Sequence, residues 1–199
     1  MARTKHDLRS EATRRQLVTA ARALFGARGY ASVGTEEIVR AAGVTRGALY
    51  HHFRDKADLF AAVAEEVEAE IVERIAAEAT GAAADPVDAL RSGARLFLDT
   101  CAEPEVERII LLDAPAVLGW EAWRDLAGRY GLGLVQFGLQ AAMEAGAIVP
   151  QPVAPLAHVL IGALNESALY VARAEDGPAA REQCVAILDR ILRGLMPDG

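Results

Sequence analysis

Residues 44–56 read Val44-Thr45-Arg46-Gly47-Ala48-Leu49-Tyr50-His51-His52-Phe53-Arg54-Asp55-Lys56 (VTRGALYHHFRDK), a short segment crowded with rings and cations. Leu49 and Phe53 lie four apart and share one helical face, the one that turns inward. Tyr50, His51 and His52 fall on the other faces. Thr45 is placed to cap the helix with its hydroxyl. Immediately upstream, Thr35-Glu36-Glu37 sets a capping hydroxyl before two acids, where the helix dipole favours negative charge. That helix carries Ile38 and Ala42 inward and ends at Gly43, with Val44 filling the turn. A longer helix precedes both. From Ser10, Leu17, Ala21, Leu24 and Phe25 recur three and four apart, and Gly29 stops it. Three helices, the last two short and joined by a glycine turn, make a helix-turn-helix unit.

Charge separates this segment from the rest. The chain has 199 residues and a net charge of -7. Residues 1–56 carry eleven Lys/Arg against five Asp/Glu, and 57–199 carry ten against twenty-three. A basic head on an acidic body suggests two jobs. The expected boundaries are therefore a helix-turn-helix DNA-binding domain over 1–56 and a second domain over 57–199.

The body reads as further helices. Residues 57–78 place Leu59, Phe60, Val63, Val67, Ile71 and Ile75 along one side. Pro86 follows Asp85 at a first helical turn, and that helix runs through Leu90, Ala94, Phe97 and Leu98. Pro104 and Pro115 bracket a shorter one with Ile109, Ile110 and Leu112. A longer segment runs from about Trp120 to Ala145, and Gly128, Gly131 and Gly133 within it weaken the signal for continuity. The last two helices span about 155–174 and 179–196. Strand signals are nearly absent, and the expected fold is all-α with about nine helices. No run approaches the length of a membrane span, and MARTKHDLRS lacks the apolar stretch of a secretory signal. Cys101 and Cys184, without CxxC spacing, read as buried small residues of a reduced compartment. The expected location is the cytoplasm.

A helix-turn-helix lays its second helix in the major groove with its first residues at base edges. Here these are Thr45, Arg46, Gly47 and Ala48. A guanidinium at Arg46 suits bidentate contact with guanine, worth about 1–3 kcal/mol of discrimination. Gly47 lets backbone and DNA approach closely. Thr35 at a helix N-terminus, Tyr50, His52 and Lys56 suit phosphates. His51 and His52 point about 100° apart on a helix and cannot share an ion without a third ligand, so no metal site is expected.

Residues 10–60 resemble the DNA-binding domain of the TetR (tetracycline-repressor-like) family of transcriptional regulators. The residues that carry the resemblance are Phe25, Gly29, Tyr30, Thr35–Ile38, the run AGVTRGALYHHF over 42–53, Lys56 and Leu59. Val39 departs from the alanine usual after the isoleucine of the first short helix. The resemblance implies that Thr35, Tyr50, His52 and Lys56 hold phosphates, and that Thr45, Arg46, Gly47 and His51 face bases. It also implies a homodimer whose C-terminal domain binds a small effector and alters the spacing of two DNA heads.

The body supports part of this independently. Cys184, Ile187, Leu188, Ile191, Leu192 and Leu195 form one stripe, and Leu156, Leu160, Ala163, Leu164, Ser167, Tyr170 and Val171 another. Both suit a four-helix bundle across a twofold axis, with Leu160, Leu164, Ile187, Leu188, Ile191 and Leu192 as interface candidates. Either stripe would equally serve its own core. Trp120, Trp123, Tyr130 and Phe137, with Asn165 and Glu166, are candidates to line a mostly apolar effector pocket, with core packing the alternative for the tryptophans. Excess acid in the body fits a cationic effector, or simply keeps the body soluble and away from DNA.

Catalytic readings fare badly. Gly131-Leu132-Gly133 has Gln136 where a phosphate loop needs its third glycine, and no strand precedes it. Ser92 and Ser167 lack a strand-turn-helix elbow, and His158 stands alone. The expectation is a ligand-responsive regulator, not an enzyme, with no cofactor: a repressor released from a palindromic operator by a small molecule. The alternatives are an activator of the same architecture and a helical interaction protein that does not bind DNA.

Overall fold

The computed structural model describes residues 5–82 and 85–197, so the first four residues of the expected DNA-binding domain and the last two of the effector domain lie outside it. The described residues are helical, with no strand among them. The α-helices are α1 (Lys5–Arg28), α2 (Thr35–Ala42), α3 (Arg46–His52), α4 (Lys56–Ala82), α5 (Pro86–Cys101), α6 (Pro104–Val106), α7 (Ala114–Leu118), α8 (Trp120–Glu144), α9 (Val153–Arg173) and α10 (Gly177–Arg193). A π-helical stretch, Glu107–Asp113, joins α6 to α7. Counting that run as one rod gives nine among the described residues.

The chain divides into two units, one of residues 1–67 with 104–121, the other of 68–103 with 122–199. The division differs from the boundary expected at 56/57. The first turns of α4 belong to the head, because Leu59, Phe60 and Val63 are fully buried there and Phe60 meets Phe25 edge-on at 5.4 Å.

In the first unit, Leu17, Ala21 and Phe25 of α1 bury the stripe read from the sequence, joined by Ile38, Leu49 and Phe53 of α2 and α3. Gly29 ends α1 at φ 80° and Gly43 ends α2 at φ 67°, left-handed conformations that favour glycine. Residues 104–121 return to this unit. Arg22 of α1 pairs with Glu105 at 2.7 Å, and a Cβ on Gly26 would stand 2.9 Å from Glu105 Cγ, so a larger residue there would push the Glu105 side chain aside. The backbone N–H of Tyr30 donates to Asp113 Oδ2 at 2.7 Å.

In the second unit, Asp85 caps α5 by accepting from the Val87 N–H at 2.7 Å, with Pro86 at the first helical position as expected. Asp176 caps α10 through the Ala179 N–H at 3.0 Å. Val87, Leu139, Ala142, Ile148, Ala157, Leu160 and Leu192 form one buried cluster. Arg181 of α10 pairs with Asp99 of α5, and Arg91 of α5 with Asp189 of α10 at 2.7 Å. The segment read from Trp120 to Ala145 is one helix, α8, unbroken at Gly128, Gly131 and Gly133. The burial of Trp123, Leu126, Ala127, Leu139 and Ala142 outweighs the helix cost of three glycines, about 1 kcal/mol each. Cys101 and Cys184 are both free and buried.

Candidate DNA-binding surface and ligand cavity

The surface begins with caps. Thr45 has extended backbone and its Oγ1 accepts from the Ala48 N–H at 3.2 Å, which fixes the start of α3. Thr35 does not cap α2. Gly34 holds that position with extended backbone and no side chain, and Thr35 is the first helical residue. Its hydroxyl still lies at a helix N-terminus, where free N–H groups favour an anion.

At the start of α3, Thr45, Arg46 and Gly47 are exposed together. A Cβ on Gly47 would come no nearer than 3.9 Å to Thr45 Oγ1, so the face is open to an approaching backbone. Arg46 lies across this face. Its Nη1 donates to Glu36 Oε1 at 3.1 Å and its guanidinium stands 5.6 Å from the Tyr50 ring centre. Both partners of that ion pair are mostly in solvent, so it holds the side chain only loosely. Tyr50 is 45% exposed. His51 is exposed and meets His52 edge-on at 5.1 Å. Burial, then the nearby His51 and Arg14, hold the His52 imidazole below its usual pKa, which favours the neutral ring with one N–H to donate.

Lys56 is committed differently from the expectation. Its Nζ donates to the carbonyls of Tyr30 and Val33, each at 3.0 Å, and lies 3.9 Å from the Tyr30 ring centre. The ammonium clamps the turn after α1 to the start of α4, leaving one N–H for a phosphate. It is a structural cation first.

The second unit encloses a cavity of about 330 Å³. Helices α4, α5, α8, α9 and α10 supply its walls, which are aliphatic and aromatic except for Glu68 and Asn165. Glu68 is 5% exposed, and burial pushes its carboxyl up to about 7.

Two family descriptions match the chain. Residues 17–63 match bacterial regulatory proteins of the tetR family, and residues 87–195 match the tetracyclin repressor-like C-terminal domain. A solved TetR-family transcriptional regulator from Pectobacterium atrosepticum is 37% identical, with a TM-score of 0.87 over 98% of this chain and 99% of that one. The chain belongs to the TetR family. Among curated relatives, the HTH-type transcriptional regulator AcrR of Shigella flexneri is 37% identical over 112 residues, 56% of this chain and 51% of AcrR. The regulator TtgR of Pseudomonas putida is 44% identical over 61 residues, 31% of this chain and 28% of TtgR. The chain thus spans about half the length of AcrR and under a third of TtgR.

Within this TetR-family chain the pocket candidates separate. Asn165 lines the cavity, whereas Trp120, Trp123 and Tyr130 do not. Trp123 is a core residue at 2% exposure. Trp120 belongs to the first unit and is 51% exposed. The lining face of α8 is Ala127, Gly131, Leu134, Gly138 and Ala141, three and four apart, and Trp120 and Trp123 continue that face toward the N-terminus, beyond the cavity. The dimer candidates separate as well. Leu160, Leu188 and Leu192 are buried, and with Leu164 they line the cavity. Only Ile187 and Ile191 lie outward, at 52% and 40% exposure, beside Val159 and Tyr170 as the exposed apolar groups of α9. Spacing alone gave no way to divide these stripes, because each helix is apolar on two faces. Glu68 escaped notice among the acids of EEVEAE, yet a signal existed: it lies three and seven residues before Ile71 and Ile75, on their apolar face.

Proposed function

We propose that this protein is a ligand-responsive DNA-binding transcriptional regulator, a repressor that leaves a palindromic operator when a small molecule occupies the cavity of the second unit. The observation that carries the reading is the joint exposure of Thr45, Arg46 and Gly47 at the capped start of α3, where a helix-turn-helix meets base edges. The cavity, apolar with two polar groups, suits a small effector. No described helix is long and apolar enough to cross a membrane, in keeping with a cytoplasmic protein that reaches DNA. Homodimerisation through the outer faces of α9 and α10, where Val159, Tyr170, Ile187 and Ile191 are exposed, would present two heads to half-sites about one helical turn apart. Its role is binding, with no catalytic constellation required.

A gel shift on DNA upstream of the protein's own coding region, at two salt concentrations, tests this. Specific retention that weakens steeply with salt is expected. Absence of retention on every candidate site at low salt would overturn the reading.

A further inference from the structure

The cavity of the second unit has an unusual wall. Five helices line it, and no Lys, Arg or His is among the lining residues. Glu68 projects from α4 into this apolar setting, and among the described residues its carboxyl takes part in no hydrogen bond or ion pair. An unsatisfied carboxyl in such a wall costs free energy, and its raised pKa, about 7, records that cost. The side chain is therefore an acceptor without a donor, nine-tenths buried and facing the space a ligand would fill. Asn165 of α9 supplies the other polar group of the wall, with a carbonyl oxygen able to accept.

We propose that the cavity takes an amphipathic organic cation, an ammonium-type group on a compact apolar body, with the charge held by Glu68 and Asn165. The inference rests on the reading of this unit as an effector-binding domain and names the class of effector. Three features favour a cation over a neutral or anionic ligand. A lining without basic residues gives an anion no counter-charge. Phe97 and Phe137 are among the lining residues, and aromatic rings attract cations. The surrounding domain carries a large excess of acid, which biases the potential at the cavity toward positive ligands. At about 330 Å³ the space is near the lower end of ligand pockets and fits one substituted ring better than an extended molecule.

The test uses an isosteric set: phenyltrimethylammonium, its uncharged carbon analogue tert-butylbenzene, and benzenesulfonate. Each is titrated calorimetrically into the full-length protein at pH 8, where Glu68 is ionised. The cation should bind at least tenfold more tightly than the neutral isostere, and the sulfonate should not bind. Glu68→Gln should erase the preference for the cation and leave tert-butylbenzene unchanged. Gly131→Leu, which places a side chain in the lining near Ile161, should weaken both probes alike. A cation preference that survives in Glu68→Gln, or a neutral isostere that binds as tightly as the cation, overturns the inference while leaving a ligand site in place. Unaltered binding in Gly131→Leu overturns the cavity as the site. Operator retention, measured on the same samples without probe, reports separately on the regulator reading.

Discussion

Arg46 and Lys56, ten residues apart, are two cations with different roles in one short sequence. Arg46 is free to leave an exposed partner, Glu36, for a base, while Lys56 is held by two carbonyls and a ring. Arg46→Ala should relax preference at one base pair per half-site, by about 1–3 kcal/mol, and leave thermal unfolding of the free protein nearly unchanged. Lys56→Met should do the reverse at the fold level. Loss of its two hydrogen bonds should lower stability by about 1–3 kcal/mol, and DNA affinity should fall alike on specific and scrambled sequences. Binding measured on both sequences, beside unfolding of each free variant, separates the two. Equal melting of Lys56→Met and the parent would remove its structural role. The positions of these residues were legible from VTRGALYHHFRDK because caps and helical spacing act locally. The commitment of Lys56 was not, since its acceptors are backbone carbonyls 26 and 23 residues upstream.

Among the elements, the run from Pro104 to Leu118 was the hardest to read. Its sequence, bracketed by two prolines, gives a helix but not the unit it joins. Glu105 and Asp113 place it against α1, the former through Arg22 and the latter at the Tyr30 N–H. The intervening residues are π-helical, ahead of Pro115, whose ring and missing N–H disturb a regular α-helical ladder. Asp113 thus holds the turn that follows α1, at Tyr30, three residues before Val33 enters the core of the head. Asp113→Ala should cost about 1–3 kcal/mol by leaving the Tyr30 N–H without its acceptor, and should raise hydrogen exchange at that amide. Asp113→Asn, which keeps an acceptor oxygen, should recover part of the protection. Identical exchange at Tyr30 in all three proteins would show that the bond contributes nothing. The remaining elements were mostly legible. Periodicity located α1 to α5 and α8 to α10; at α8 three glycines weakened the local signal, and the burial of Trp123 and Leu139 keeps the helix continuous.

At the scale of the whole molecule, charge does two different things. On the head it is surface charge that a polyanion can neutralise. In the body one acid, Glu68, is enclosed, and there charge becomes a matter of stability. Its folded-state pKa of about 7 lies above the ordinary 4.5. The folded protein therefore binds more protons than the unfolded chain between those values, and stability falls as pH rises through that window. Below about pH 4.5 both states are protonated and the site is neutral in its effect. Above about pH 7 both are ionised, and the full penalty, on the order of 3 kcal/mol, is present. The Cys101 thiol feels the same enclosure: burial, and then the charges of Glu68 and Glu103, raise its pKa, which keeps it a neutral thiol at physiological pH. Only one of these two buried groups titrates near neutrality. Glu68→Gln should accordingly change stability little at pH 4.5 and stabilise the protein progressively up to pH 8, as read from unfolding curves of the two proteins at several pH values. A difference that stays constant across that range would mean that the carboxyl finds a partner or water in solution. The same titration with phenyltrimethylammonium present should flatten the pH dependence of the parent, because a fixed positive charge beside Glu68 favours its ionised form and removes the penalty that burial imposes.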